Sequence, residues 1–146
     1  KSSYALKEGD IVEFENFSQE IPTPQPENLP LEIIWEDENM AVINKPSGML
    51  THPTSIEMSG TLVNAIMNKY GENLSDINGV MRKGIIHRLD RNTSGLIMIA
   101  KNNKTHEFLV EEMKNKNFTK KYIAIVRGIV EQDDFVINKT PSGKLI

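Results

Sequence analysis

The sequence of 146 residues contains no cysteine. That excludes a disulfide scaffold, a thiolate metal site and a cysteine nucleophile, and it fits a reducing, cytoplasmic setting. Long apolar runs are also missing. The longest, such as Gly84–Ile86 and Leu96–Ala100, are a few residues each, too short for a transmembrane helix or a secretory segment. There is no Gly-x-Gly-x-x-Gly and no Walker loop, so a nucleotide cofactor has no support. His52, His87 and His106 stand far apart, and no pair has the i, i+4 spacing of a zinc helix, so no metal is expected. A Gly-x-Ser-x-Gly elbow is absent too. Ser94, His87 and Asp90 lie within eight residues of one another and cannot easily converge as a hydrolase triad. The chain opens Lys1-Ser2-Ser3-Tyr4 without an initiator Met, and is expected to be an internal piece of something longer.

What is present reads as a globular chain. The hydrophobic fraction is 38% and the charged fraction 25%, and the length can bury a core. The net charge of −3 conceals a strong asymmetry. Residues 1–81 carry four Lys against thirteen acids, a balance of −9. Residues 82–127 carry eleven Lys and Arg against four acids, a balance of +7. Clustered cations of this kind release counterions from a polyanion, so the basic stretch is a candidate phosphate footprint. On charge alone a solvated basic helix explains it equally well.

Along the chain, Ile11 and Val12 follow a Gly-Asp turn and read as the last strand of a preceding unit, over residues 1–17. Residues 18–30 contain four Pro, at 22, 24, 26 and 30, and read as an extended linker, with compact structure beginning near Leu31. Ile33–Trp35 and Met40–Asn44 around Glu36–Asn39 predict a β-hairpin. Thr61–Tyr70 has a helical stripe at 62, 63, 66 and 67 that Gly71 stops. Leu96–Ala100 predicts a buried strand. Asn102 or Asn103 caps a helix to about Lys116, with Phe108, Leu109 and Met113 on one face. Tyr122–Val126 reads as a central strand and Phe135–Ile137 as another. Strands outnumber helices without alternating regularly, which favours an α+β fold with a mixed, mainly antiparallel sheet.

The densest polar cluster is His87-Arg88-Leu89-Asp90-Arg91-Asn92-Thr93-Ser94-Gly95-Leu96, wedged between two core segments. Two cations flanking Asp90 are expected to keep it ionised, and a sequestered carboxylate can act as nucleophile or base. A buried ion pair followed by an Asx turn explains the same residues without chemistry. Lys120-Lys121-Tyr122 combines two phosphate-binding side chains with a ring able to stack on a base, or is simply an edge tyrosine. Lys45-Pro46-Ser47-Gly48 and His52-Pro53 form a rigid loop, or as structure alone a turn.

Residues 87–96 closely resemble the signature loop of the RluA/RluD-type RNA pseudouridine synthases. Three shorter words agree in order: Lys45-Pro46-Ser47-Gly48 with His52-Pro53, Lys120-Lys121-Tyr122, and Val126-Arg127-Gly128. The resemblance covers about Leu31 to Gly128, and Tyr4–Phe14 resembles the closing strand of the small RNA-binding domain preceding many members. It implies isomerisation of uridine to pseudouridine in structured, ribosomal RNA, without cofactor or metal. Asp90 would be the essential carboxylate, attacking the anomeric carbon or removing the 2′ proton. Tyr122 would stack on the target base, and Arg88 would fill the space of the flipped nucleotide. Lys45, His52, His87, Arg91, Lys120 and Lys121 would contact RNA. Asn92 stands where the family more often has an acid. The chain also stops at Ile146, before the family's Arg-x-His-Gln-Ile-Arg-like word. Residues 31–146 are therefore expected to be the first part of a catalytic domain, a fragment with an open sheet edge that is inactive alone or self-associates. A non-catalytic RNA-binding remnant is the alternative.

Overall fold

The computed structural model describes residues 5, 7–13, 23–134 and 136. Its centre is a three-stranded antiparallel sheet in the order β1-β2-β3, with β1 at Glu32–Glu36, β2 at Met40–Lys45 and β3 at Gly95–Ala100. Helix α1 spans Leu62–Tyr70 and α2 spans Asn103–Lys114, with a single 3-10 turn at Val80–Arg82 between β2 and β3. The fold is α+β with an antiparallel sheet.

The hairpin forms where the sequence predicts it. Asp37 Oδ1 accepts from the N–H groups of Asn39 and Met40, each at 2.8 Å, which closes the turn. Ile33-Ile34-Trp35 puts three apolar residues in a row where a pleated strand wants two faces. Pairing runs Ile33 to Ile43 and then Trp35 to Val42, so a bulge absorbs the extra residue. On β2 the alternation is clean: Ala41, Ile43 and Lys45 face inward. They meet Ile97 and Ile99 of β3, Leu62, Val63 and Ile66 of α1, and Leu74, Ile85 and Leu89 from the connections.

Helix α1 begins with a capping box. Asn64 N–H donates to Thr61 Oγ1 and Thr61 N–H donates to Asn64 Oδ1, so an Asn serves where Glu or Gln is usual. Gly71 ends it at φ +56°, its N–H on Met67 O. The packed region reaches back to Pro24, which is buried, and Gln25 O accepts from Asn64 Nδ2 at 2.8 Å. The Glu27 carboxylate takes Gly60 N–H at 3.1 Å.

Helix α2 is capped by Asn102 Oδ1, which accepts from Thr105 N–H at 2.8 Å. Its inward stripe differs from the expected one. His106 and Leu109 are buried and Phe108 is 62% exposed. The 3-4 spacing 106, 109, 113 is one helix face, and Phe108 falls beside it. Tyr122–Val126 is also not a strand: it is unpaired chain without regular structure, and Ile123 and Ile125 are fully exposed. β-Branched residues alone do not make a strand without a partner edge to pair with. Residues 7–13 likewise form a turn and extended chain without strand pairing, and Phe135 and Ile137 lie outside the described residues. Among the described residues no helix is long and apolar enough to cross a membrane.

Candidate active site

The polar loop 87–96 is tied down from below by its one apolar member. Leu89 is buried in the core cluster, so its neighbours Arg88 and Asp90 are turned outward. Thr51, itself buried, grips Leu89 on both sides of the peptide unit: Thr51 Oγ1 donates to Leu89 O at 2.8 Å and accepts Leu89 N–H at 3.3 Å.

Beyond Asp90 the loop is held by the Lys45–Gly48 segment. Gly48 N–H donates to Arg91 O at 2.8 Å, and Ser47 Oγ donates to Asn92 O at 2.9 Å. Gly48 sits at φ +88°, a conformation that only glycine adopts without strain. Lys45 has no exposed surface. Its ammonium donates to Pro46 O and Met49 O at 2.8 Å and to Arg91 O at 3.2 Å. Burial pulls the Lys45 pKa below the ordinary lysine value, and the negative charge of Asp90 works in the opposite direction. Lys45, expected among the RNA contacts, is thus an internal clamp between two loops. The signal was the parity of β2: the third inward position of the Ala41, Ile43, Lys45 series belongs to the core.

Asp90 lies between Lys45 below and solvent above. Its side chain is 87% exposed, with Arg88 Nη2 at 3.9 Å from Oδ1. The sequence expectation of two cations on one carboxylate is corrected here. Arg91 turns away and pairs with Glu57; their hydrogen bond holds the Glu57 carboxyl below the usual carboxylate range and raises the Arg91 guanidinium above its ordinary value. Glu57 is a better partner because its turn is built: Thr54 N–H donates to Glu57 O at 2.9 Å and Glu57 N–H donates to Thr54 Oγ1 at 3.1 Å.

His87 accepts the N–H of Met98 on its Nε2 at 3.0 Å, so that nitrogen is unprotonated and the ring is neutral. Burial lowers its pKa and the charge of Lys120 lowers it further. His52 turns Nδ1 onto Pro53 O at 3.0 Å, its Nε2 buried without a partner.

A groove of about 1030 Å³ collects the remaining site residues. His87, Leu89 and Asn92–Leu96 form one wall, Val42 and Met98 of the outward sheet face the floor, and Lys120, Lys121 and Tyr122 the opposite wall. Tyr122 is 65% exposed. Asp90 is not among the lining residues, although Leu89 and Asn92 on either side are. The sequence reading missed Thr51 and Glu57, neither of which carries a local signal of its own; both act across long sequence separations.

A family described as RNA pseudouridylate synthase matches residues 39–144. A Bacillus subtilis protein named "Uncharacterized RNA pseudouridine synthase YlyB" is 44% identical over 99% of this chain and 47% of its own length. An Aquifex aeolicus protein named "Uncharacterized RNA pseudouridine synthase" is 44% identical over 91% of this chain and 42% of its own. A Zymomonas mobilis protein named "Ribosomal large subunit pseudouridine synthase D" is 41% identical over 81% of this chain and 39% of its own. The chain spans about half the length, or less, of these relatives. With its core-anchored 87–96 loop inside the matched region, this chain belongs to the RNA pseudouridylate synthase family.

Proposed function

We propose that this chain carries the catalytic loop of a pseudouridine synthase acting on large-subunit ribosomal RNA in the cytoplasm. The observation that carries this reading is the double suspension of Asp90. Leu89 is fixed to the core by Thr51, and Arg91 is fixed by Lys45 and Gly48, leaving one outward carboxylate on a rigid mount. A carboxylate that must meet a ribose needs that combination of access and immobility. Asp90 attacks the anomeric carbon, or removes the 2′ proton, and the detached uracil turns and rejoins the sugar through carbon 5. Tyr122 stacks on the flipped base and Arg88 takes the space that the nucleotide leaves. Arg91, Lys120 and Lys121 meet phosphates, and His87, held neutral, contacts the RNA as a hydrogen-bonding group, while His52, with Nδ1 on Pro53 O and Nε2 buried, steadies the loop beside them. Lys45 serves as the positioning residue beneath Asp90.

In this reading residues 31–146 are catalytic-domain sequence, 18–30 a linker whose Pro24–Glu27 stretch is pinned to α1, and 1–17 the end of a small RNA-binding domain. The reaction needs neither a nucleotide cofactor nor a metal. The exposed Ile123, Ile125 and Ile129 also support self-association, which sedimentation of the protein over a concentration series would register. The test of function is pseudouridine mapping on a large-subunit rRNA transcript incubated with this chain extended to the full length of its relatives. Formation at a discrete uridine is expected. Salt-sensitive RNA binding with no isomerisation, by a chain spanning the full length of its relatives, would establish the non-catalytic alternative instead.

A further inference from the structure

We propose that Glu57 is a built-in competitor for an RNA phosphate: it holds the Arg91 guanidinium until the substrate's backbone displaces it. The inference rests on the proposed RNA reading and adds a residue and a step to it.

Four observations carry it. Arg91 immediately follows Asp90, so a phosphate on Arg91 lies beside the reacting nucleotide. The Arg91 main chain cannot leave, because Lys45 Nζ and Gly48 N–H both hold its carbonyl. Its guanidinium is therefore the part free to exchange partners, and it is engaged by Glu57 although Asp90 is the adjacent residue. Finally, the pair is open to solvent, with side chains 43% and 41% exposed, so an incoming anion can reach it.

Carboxylate and phosphate present the same paired oxygens to a guanidinium, and each can replace the other there. Glu57 is also placed to be left behind. Its turn closes on itself through Thr54, and the following Gly60 is pinned by Glu27, so losing Arg91 does not unravel it. While paired, Arg91 is neutralised and kept off Asp90. Once a phosphate takes Arg91, the carboxylate of Glu57 repels any phosphate in the wrong register. Glu57 thus discriminates between backbone placements as well as competing for the cation.

The test is RNA binding, measured apart from catalysis. Affinity of the protein for a large-subunit rRNA transcript is followed over a salt series for the parent chain, E57Q, R91Q and the double variant. Freeing Arg91 should tighten binding by E57Q about two- to fivefold at low salt, the range of an exposed ion pair. The plot of log K against log salt should keep close to the parent slope, because the Arg91–phosphate contact is made in both complexes. R91Q should lose affinity and flatten the slope, and in its background E57Q should gain nothing. Weaker binding by E57Q, restored by E57D, would mean that Glu57 orients Arg91 for RNA and would overturn the proposal. Unchanged affinity of E57Q at low salt would overturn it as well. Pseudouridine formation by E57Q is read in parallel. Isomerisation with unaltered E57Q affinity refutes the competitor alone, whereas binding without isomerisation by a chain spanning the full length of its relatives refutes the proposed function.

Discussion

Replacing Lys45 with Met keeps the aliphatic stem of a fully buried side chain and deletes its ammonium. Three carbonyl oxygens, of Pro46, Met49 and Arg91, lose a charged donor at 2.8–3.2 Å. Hydrogen bonds to charged groups are each worth about 1.5–3 kcal/mol. Against that loss stands the desolvation of the ammonium, several kcal/mol, which the variant no longer bears. Gly48 N–H still holds Arg91 O, so one of the three acceptors keeps a partner. The net expectation is a loss of about 2–4 kcal/mol in global stability by urea unfolding. A second effect is local. With Arg91 O held by one donor, the Asp90 mount loosens, and a displacement near 1 Å costs about a hundredfold in turnover. Pseudouridine formation at saturating RNA should fall by that order while RNA affinity stays near the parent value. The competing view makes Lys45 a phosphate contact. It predicts parent-like stability, weaker binding and a salt slope flatter by about one. That pattern would refute the clamp.

Further expectations follow from single residues. Gly84 sits at φ +72°, and a Cβ there would lie 2.9 Å from Leu74 Cδ2 and 3.0 Å from Ile99 Cγ2, so Gly84→Ala should cost about 2–4 kcal/mol in urea unfolding. A cost below about 0.5 kcal/mol would mean that this core corner relaxes freely. His106 is buried with Nε2 against Asn78 Nδ2 and an unpaired Nδ1, and burial pushes its pKa below the ordinary 6.5. The unfolded chain then binds a proton that the folded chain refuses, so stability should fall as pH drops below about 6.5 and recover as it rises. His106→Leu should flatten that dependence, with the similarly depressed His87 supplying the remainder; an identical pH profile would contradict the assignment.

Local structure was legible wherever local rules decide it. The Asp37 turn, the Asn102 cap and the Gly71 stop rest on contacts within a few residues, and all stand where the sequence put them. Tyr122–Val126 has strand composition and no partner edge, so composition misled. The 87–96 loop was readable as a word, but its mechanics were not. Lys45 reaches Arg91 across 46 positions, Thr51 reaches Leu89 across 38 and Glu57 reaches Arg91 across 34. Each of those pairings is set by the sheet, which brings the end of β2 beside the start of β3. The Arg88–Asp90–Arg91 triplet illustrates the limit. Neighbours in sequence suggested one shared ion pair, and a distant glutamate took one of the partners.

The central claim is that the carboxylate on this mount performs the isomerisation. Single-turnover pseudouridine formation at saturating transcript, compared between the parent and Asp90→Asn in a chain spanning the full length of its relatives, tests it most directly, with RNA affinity and urea stability measured alongside. The side chain is 87% exposed, so stability should change by less than about 0.5 kcal/mol. Affinity should be retained and product formation lost. Pseudouridine forming at the parent rate in Asp90→Asn would contradict the account.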